Sequence, residues 1–529
     1  MNQILLLAGT VILICILTSR LTERLGVPSL LAFIALGMCF GVDGIFKIPF
    51  DDYSVSETIC SVSLVFIMFY GGFGTNIKEA RPVMAQAILL STVGVILTAG
   101  LVGGFVYLVL KRPILESLLI GSVIASTDAA SVFSILRSKN LNLKDNTASL
   151  LEMESGSNDP ISYMLTVILT SMMIGQEISV PLMLFRQVFF GLAWGAIVVK
   201  AAVYALNRID VTVTQGKTIL VFSVAILAYA LPAVMGGNGY LSVYLCGIIM
   251  GNSYIPEKRD LVRFFDVLTG VAQMMIFFLL GLLVTPSQLP EVFVPSLLIM
   301  IFMTFVGRPA AVSALLACFK TSPGQVGVVS WAGLRGVASI VFSIYAVLNE
   351  VSMEYNLFNL VFCIVLLSIS TQGALLPWIS GKFRMIDANA DVWRTFNDYQ
   401  EESPVSFIKI PVREGHPYAG HTFKEIVMPP DLLTVLILRG NETIVPNGDT
   451  RILAGDLLVA AGKEFEDRKN LTLREITVGK NDKWAGKCLT EIPVPQGTLI
   501  VMIERGSSTI IPRGDTVIQE GDLLVEAKF

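Results

Sequence analysis

The first 381 residues are punctuated by runs of about 20 apolar residues, each long enough to cross roughly 30 Å of hydrocarbon. A chain so patterned satisfies its backbone inside a bilayer as helices. Thirteen candidate spans can be placed, at about 3–19, 28–42, 55–73, 84–110, 113–136, 147–174, 184–206, 217–235, 238–252, 264–284, 291–318, 323–348 and 355–380. From about residue 382 the chain reads as a soluble protein. Only 15% of all residues are charged, against about 25% in an ordinary soluble chain, and the deficit lies in the first part. A net charge of −4 suggests no nucleic-acid partner. Six of the seven cysteines fall in candidate spans and none forms a CxxC, so they read as packing residues rather than a zinc site or disulfide framework. The N-terminus is apolar from the start without an A-x-A cleavage pattern, so a first span is expected there and not a removed signal.

Loop charge tests the span count. Loops after odd-numbered spans carry Arg20, Arg24, Lys78, Arg81, Arg137, Lys139, Lys144, Arg208, Lys217, Lys258, Arg259, Arg263 and Lys320, and the last span exits at Lys382 and Arg384. Loops after even-numbered spans carry Lys47, Lys111, Arg112 and Arg186 beside Asp43, Asp51, Asp52 and Glu57. Positive loops stay in the cytoplasm, which places the N-terminus outside and the C-terminal domain inside.

Two spans are predicted to be broken. Ala125-Ser126-Thr127-Asp128-Ala129-Ala130-Ser131 interrupts the fifth, and Trp331-Ala332-Gly333-Leu334-Arg335-Gly336-Val337 the twelfth. Interrupted helices at matching positions in two halves mark the site of a secondary transporter. Spans four to six and eleven to thirteen would be the two copies. Span four starts inside and span eleven outside, so the copies are inverted. For Asp128 and Arg335, a structural ion pair or helix-end role stands open beside a role in transport.

The sixth span opens with Leu151-Glu152-Met153-Glu154-Ser155-Gly156-Ser157-Asn158-Asp159-Pro160. An ionised carboxylate near a bilayer centre costs roughly 2.5–3.5 kcal/mol on insertion scales, so such a group faces protein or a water-filled path. Ser155 and Asp159 are four apart and share a helix face, and Glu154 and Asn158 share the adjoining one. Pro160 removes a backbone donor beside them. This hard-oxygen set suits a monovalent cation and not a transition metal. The two histidines, His416 and His421, both lie in the tail, so proton handling in the membrane falls to carboxylates. Asp159 would take a proton and a cation in turn.

At these residues the chain resembles the monovalent cation:proton antiporters of the Na⁺/H⁺ exchanger (NhaP) type, over roughly residues 1–380. Gly156-Ser157-Asn158-Asp159-Pro160, Ser126-Thr127-Asp128-Ala129 and Ser330-Trp331-Ala332-Gly333-Leu334-Arg335-Gly336 carry the resemblance. It implies an all-α polytopic protein of thirteen helices with inverted repeats and two crossed, broken helices. It also implies a homodimer in a bacterial inner membrane. Asp159 would be the cation/proton carboxylate. Ser155 and the Thr127 backbone would help ligate, and Asn158 and Glu154 would hold Arg335. The Asn-Asp form goes with electroneutral, one-for-one exchange. Tyr70, in Phe69-Tyr70-Gly71-Gly72-Phe73, stands where many relatives carry an acid, which weakens a Na⁺ assignment. Relatives with cytoplasmic potassium-regulator tails are often K⁺/H⁺ exchangers, so the resemblance favours K⁺ and leaves Na⁺ open.

The tail contains an ungapped repeat. Val412…Ala419-Gly420…Glu425-Ile426…Pro429, Arg439-Gly440…Thr443…Pro446-x-Gly448-Asp449-Thr450 and Gly455-Asp456-Leu457-Leu458-Val459 recur as Val478…Ala485-Gly486…Glu491-Ile492…Pro495, Arg505-Gly506…Thr509…Pro512-x-Gly514-Asp515-Thr516 and Gly521-Asp522-Leu523-Leu524-Val525. Short β-rich runs and Gly-Asp turns predict two small α+β units. The expected division is 1–381 membrane domain, 382–405 linker, then units at 406–463 and 464–529. Both units resemble the C-terminal subdomain of potassium-conductance regulators (RCK-C, or TrkA-C). That resemblance implies sensing of a small ligand, including nucleotides such as cyclic di-AMP, or pairing across a two-fold. Arg439, Arg505, His416 and His421 are the candidate anion contacts. No GxGxxG half precedes the units, so no NAD cofactor is implied. Two rival functions are a regulator-gated cation channel, against which stands the lack of a TVGYG-like filter, and a membrane-embedded enzyme using Glu154 and Asp159, which has no accompanying nucleophile or metal set.

Overall fold

The computed structural model describes residues 9–18, 29–139, 141–208, 215–253, 255, 258–387, 405–414, 416–426, 428, 432–440, 442–463, 472–479, 482–492, 498–505, 508–510, 512 and 514–528. Two compact units divide near Glu401, one helical and one built of strands. Arg20, Arg24 and most of the expected linker lie outside the described residues.

Seven helices among the described residues are long and apolar enough to cross a membrane: Tyr53–Gly74, Arg81–Val109, Val180–Arg208, Gly216–Val234, Asp260–Leu283, Pro286–Phe319 and Leu357–Lys382. Shorter apolar helices, such as Ser29–Phe40 and Gly239–Gly251, accompany them. The helix Thr147–Met173 is 27 residues long, enough to span, but its N-terminal half is polar. Both expected breaks are present. The fifth span is Ile114–Val123 followed by Ala129–Ser138, and the twelfth is Pro323–Trp331 followed by Val337–Leu348. A π-helical turn also sits at corresponding places in spans four and eleven, at Leu90–Gly94 and Met303–Gly307.

The loops gather on two opposite faces. On one, Asp43 accepts from the Ser287 N–H at 2.8 Å, Arg112 donates to Tyr355 Oη at 2.7 Å and pairs with Glu354, and Asn359 donates to Gln288 at 3.2 Å. On the other, Asn252 bonds the Thr75 carbonyl at 2.8 Å, Ser322 reaches Asp145 at 3.2 Å, and the Lys144 N–H donates to the Met385 carbonyl at 2.9 Å. The second face includes Met385, where the chain leaves for the tail. Helices start at these faces on short polar caps: Asp52, Ser322 and Asn356 each accept a backbone N–H from the first turn, as does the buried Asn238 in the interior beside Pro160.

Close approach within the helical unit is made by glycine. A Cβ on Gly37 would lie 2.2 Å from the Phe278 carbonyl oxygen, and one on Gly247 2.3 Å from that of Phe69. Without cost in hydrophobic area, small residues let membrane helices reach van der Waals contact.

In the tail, strands β1 (Val405–Pro411), β2 (Leu432–Arg439), β3 (Glu442–Ile444) and β4 (Leu457–Lys463) form an antiparallel sheet ordered β1-β4-β2-β3. Strands β5 (Thr472–Thr477), β6 (Thr498–Arg505), β7 (Ser508–Ile510) and β8 (Leu523–Lys528) repeat it as β5-β8-β6-β7. Even the bulge recurs, between Thr434 and Leu436 and between Ile500 and Met502. Strands dominate; the helical content among the described tail residues is one turn, Leu489–Glu491.

Each sheet is closed by one ion pair. Arg439 donates from Nε and Nη2 to the two carboxylate oxygens of Asp456, both at 2.8 Å, and from Nη2 to the Arg451 carbonyl at 2.8 Å. Arg505 makes the same contacts with Asp522 and the Val517 carbonyl. Asp456 and Asp522 are buried. Guanidinium hydrogen bonds hold both carboxyls below the usual carboxylate range. A carboxyl pKa lowered by folding stabilises fully above the unfolded value, about 4, and that contribution is lost as pH falls through the folded value. Arg505→Ala takes the guanidinium from buried Asp522 and leaves it the Gln519 N–H, at an expected cost of ~1–3 kcal/mol. Hydrogen exchange of tail peptides in the full chain would show faster exchange in the second sheet and not in the first, and wild-type protein would show the same loosening of both sheets in acid.

Candidate functional site

Helix Thr147–Met173 supplies the side chains that hold the broken fifth span. Ser162 donates to the Ser122 carbonyl at 2.5 Å, and Ser155 to the Thr127 carbonyl at 2.5 Å. Asn158 closes a two-way pair with Thr127: its amide nitrogen donates to Thr127 Oγ1 at 2.5 Å, and its carbonyl oxygen accepts the Thr127 N–H at 3.3 Å. Ser126 donates its hydroxyl to Asp159. Asp159 is thus half-buried beside the unwound residues 124–128, one turn along from Ser155 and next to Asn158.

The twelfth span crosses at the same place. Arg335, fully buried, donates from Nη1 to the Ala125 carbonyl at 2.7 Å and the Ser126 carbonyl at 2.8 Å. The Asp128 N–H donates to the Leu334 carbonyl at 2.8 Å, which joins the two breaks backbone to backbone. Asp128 accepts from the Ser131 hydroxyl at 2.5 Å and its N–H at 3.3 Å, so it caps the second half of span five. No Cβ fits at Gly336, where it would lie 2.4 Å from Asp128 Cβ. Ser368, in a π-helical turn at Ser368–Gly373, accepts the Arg335 N–H at 3.1 Å and donates to Gln372 at 2.5 Å.

Glu154 differs from its expected part. Its ion-pair partner is Arg308 Nη2, at 2.5 Å, with both side chains buried (3% and 1% exposed). Arg335 instead serves the carbonyls of the broken span, and Asn158 serves Thr127. Two side chains that contact the candidate residues were therefore not singled out from the sequence. Arg308 follows the π-helical turn of span eleven, in a Gly-Arg-Pro stretch whose charge inside an apolar run was the available signal. Ser126 lay inside a motif already singled out. Tyr70 also differs: its hydroxyl donates to Asp266 at 3.2 Å, so span ten brings a carboxylate to the place where span three lacks one.

In the tail the four candidate anion contacts are not brought together as a site. Arg439 and Arg505 close their own sheets, as described above. His416 accepts the Tyr418 N–H at 3.2 Å and its ring packs against the Tyr418 ring, while His421 stands 3.7 Å from Glu425 on the surface. Among the described residues no group of three or more His, Cys, Asp or Glu could hold a metal ion.

Burying two charges is favourable only while both are present, so Arg308→Ala is expected to cost about 3–5 kcal/mol by stranding Glu154. Combining it with Glu154→Gln should recover part of that loss, as a double-mutant cycle in thermal unfolding of the purified protein would show. Gly336→Ala, which drives a methyl group into Asp128, should reduce any cation-dependent proton movement at least about tenfold (about 1.4 kcal/mol).

Comparison with known proteins gives the family and the fold. The family described as sodium/hydrogen exchanger, transmembrane, matches residues 9–382, and the TrkA-C domain matches 407–464 and 473–525. The K(+)/H(+) antiporter NhaP2 of Shewanella sp. (strain ANA-3) is 32% identical over 475 residues, covering 88% of this chain and 82% of that protein. The K(+)/H(+) antiporter NhaP of Alkalimonas amylolytica is 35% identical over 375 residues, covering 70% and 65%. The solved structure of the sodium proton antiporter MjNhaP1 from Methanocaldococcus jannaschii superposes with a TM-score of 0.64 at 21% identity, over 72% of this chain and 99% of that one. The chain belongs to the sodium/hydrogen exchanger family of transmembrane cation/proton antiporters, and its tail consists of two TrkA-C domains.

Proposed function

We propose that the chain exchanges K⁺ for H⁺ one for one, by alternating access of a single carboxylate, Asp159. The observation that carries this reading is how the charged groups at the crossing are used. Arg308 pairs with Glu154, Arg335 donates to the Ala125 and Ser126 carbonyls, Asp128 caps its own helix, and Asp159 accepts a hydroxyl hydrogen bond from Ser126 rather than a guanidinium. Water is a poor neighbour there, and a lone charge in low-dielectric surroundings is unfavourable. A proton or one monovalent cation removes it, and each excludes the other. Asn158 is neutral and committed to Thr127, so the helix position next to Asp159 carries an amide and not a second carboxylate. If only the neutralised site crosses the barrier, one cation moves for each proton and no net charge crosses.

Ser126 donates to Asp159, and Ser155, one helical turn away, donates to the Thr127 carbonyl; hard oxygens of this kind are what a monovalent cation takes, which supports the reading. Potassium as the cation rests on the relatives printed as K(+)/H(+) antiporters. The Tyr70 argument for it weakens, because Asp266 supplies an acid at that place. Sodium is the second reading for that reason. The positive face bearing Met385 is assigned to the cytoplasm of a bacterial inner membrane, with the N-terminus outside and the protein a homodimer. The TrkA-C pair is the regulatory part. A nucleotide ligand there would have to use groups other than Arg439 and Arg505.

The test is proton release from everted vesicles on adding K⁺ or Na⁺, followed with a pH-sensitive dye across about pH 6.5–9, a range that covers a carboxyl shifted by burial. Wild type is expected to release protons with K⁺, and Asp159→Asn with neither ion while remaining folded. Exchange surviving in Asp159→Asn would overturn the site. Deleting 404–529 is expected to leave exchange present with altered control; complete loss in a folded truncation would overturn a regulatory tail.

A further inference from the structure

Beyond Asp159, toward the face opposite Met385, the transport helix runs into a cluster of aromatic hydroxyls. Tyr163 is four residues past Asp159 and shares its helix face. The Tyr163 ring packs edge-on against Tyr240, with centroids 5.0 Å apart, and against Tyr345 at 5.8 Å. Phe342 lies 5.4 Å from Tyr163 and 6.0 Å from Tyr240. These rings come from two sources. Tyr163, Phe342 and Tyr345 belong to the sixth and twelfth spans, in the inverted copies. Tyr240 belongs to helix Gly239–Gly251, between the copies, and packs with Tyr229 at 5.1 Å.

The cluster is linked to the far face by hydrogen bonds. Tyr240, 1% exposed, donates to Ser61 Oγ at 3.2 Å, and Ser61 donates to Glu57 Oε1 at 2.8 Å. Glu57 sits in the first turns of helix Tyr53–Gly74, close to its cap Asp52 and so at the face of loop 41–52. Its carboxylate is half-buried. An apolar seal needs no hydroxyls, and buried hydroxyls carry a cost unless partnered. A carboxylate followed inward by hydroxyl oxygens is instead a path that a hard monovalent cation can follow.

We propose that Glu57 is the receiving site for the monovalent cation on the face opposite the tail exit, and that Tyr163, Tyr240 and Tyr345 form the closed gate between it and Asp159. The inference rests on the antiport reading above. Movement of the inverted copies relative to helix Gly239–Gly251 parts the gate, because Tyr163 and Tyr345 lie on one side of it and Tyr240 on the other. Glu57 then holds the cation at the mouth while it sheds water, and the hydroxyls of Ser61 and Tyr240 pass it on.

Sidedness supplies the test. Exchange by the full chain is measured in everted and in right-side-out vesicles, titrating K⁺ and, separately, Na⁺ on the accessible face. Glu57→Gln is expected to raise the half-maximal cation concentration about fivefold on the Glu57 face (about 1 kcal/mol) and to leave the tail-side value unchanged. Ser61→Ala, which keeps the carboxylate but cuts its link to Tyr240, is expected to shift the same face in the same direction. Equal shifts on both faces, or no shift in either variant, would overturn the proposal. If Glu57→Gln does not fold, Glu57→Asp and Ser61→Ala decide by the same criterion. Failure of the underlying reading looks different: wild type then shows no cation-driven proton movement from either face, or Asp159→Asn retains it.

Discussion

Backbone groups that leave a helix inside a bilayer must find partners within the protein, because no water or lipid offers them. That constraint organises this molecule. Breaking spans five and twelve frees carbonyls and N–H groups at mid-membrane, and almost every polar side chain of the site is explained by where they go. Arg335 takes the Ala125 and Ser126 carbonyls, Ser155 takes that of Thr127, and Asn158 takes the Thr127 N–H. The two breaks satisfy one another through the Asp128 N–H and the Leu334 carbonyl. Asp159 takes no part in satisfying the two breaks beyond accepting the hydroxyl of Ser126.

The same economy recurs in the tail with a different purpose. Arg439 and Arg505 each combine a bidentate carboxylate contact with a backbone carbonyl, as only a planar fork can. In the tail that geometry locks a sheet around a buried aspartate. At the membrane crossing, Nη1 of Arg335 serves two carbonyls, and the Glu154 ion pair is made by Arg308. Using two arginines for the two jobs leaves Asp159 outside any guanidinium pair at the crossing.

Much of this was legible in the sequence because its signals are local. Runs of about 20 apolar residues, a polar cluster inside one of them, and Ser155 and Asp159 on one face follow from helix period and bilayer thickness alone. The breaks at 124–128 and 332–336 were announced by small and polar residues within apolar runs. The tail repeat was readable residue by residue, since both copies keep the arginine and aspartate that pair. What stayed hidden depends on which distant side chain arrives. Nothing local says that Glu154 meets Arg308 and not Arg335, since both arginines lie in apolar spans of the second copy. Likewise, Tyr70 reads as a lost acid until span ten brings Asp266 to its hydroxyl. Arg439 and Arg505 look available to a ligand until the fold closes each on its own aspartate.

The account turns on one carboxylate being shared by proton and cation. The most direct measurement is the half-maximal cation concentration for exchange by the purified, reconstituted protein as a function of pH. Competition at Asp159 predicts that it rises about tenfold for each unit of pH lowered below the carboxyl pKa of the empty site, with the maximal rate at saturating cation limited only by the return of the proton-loaded form. A half-maximal concentration that stays constant with pH while the maximal rate falls would contradict it, because proton and cation would then occupy different groups.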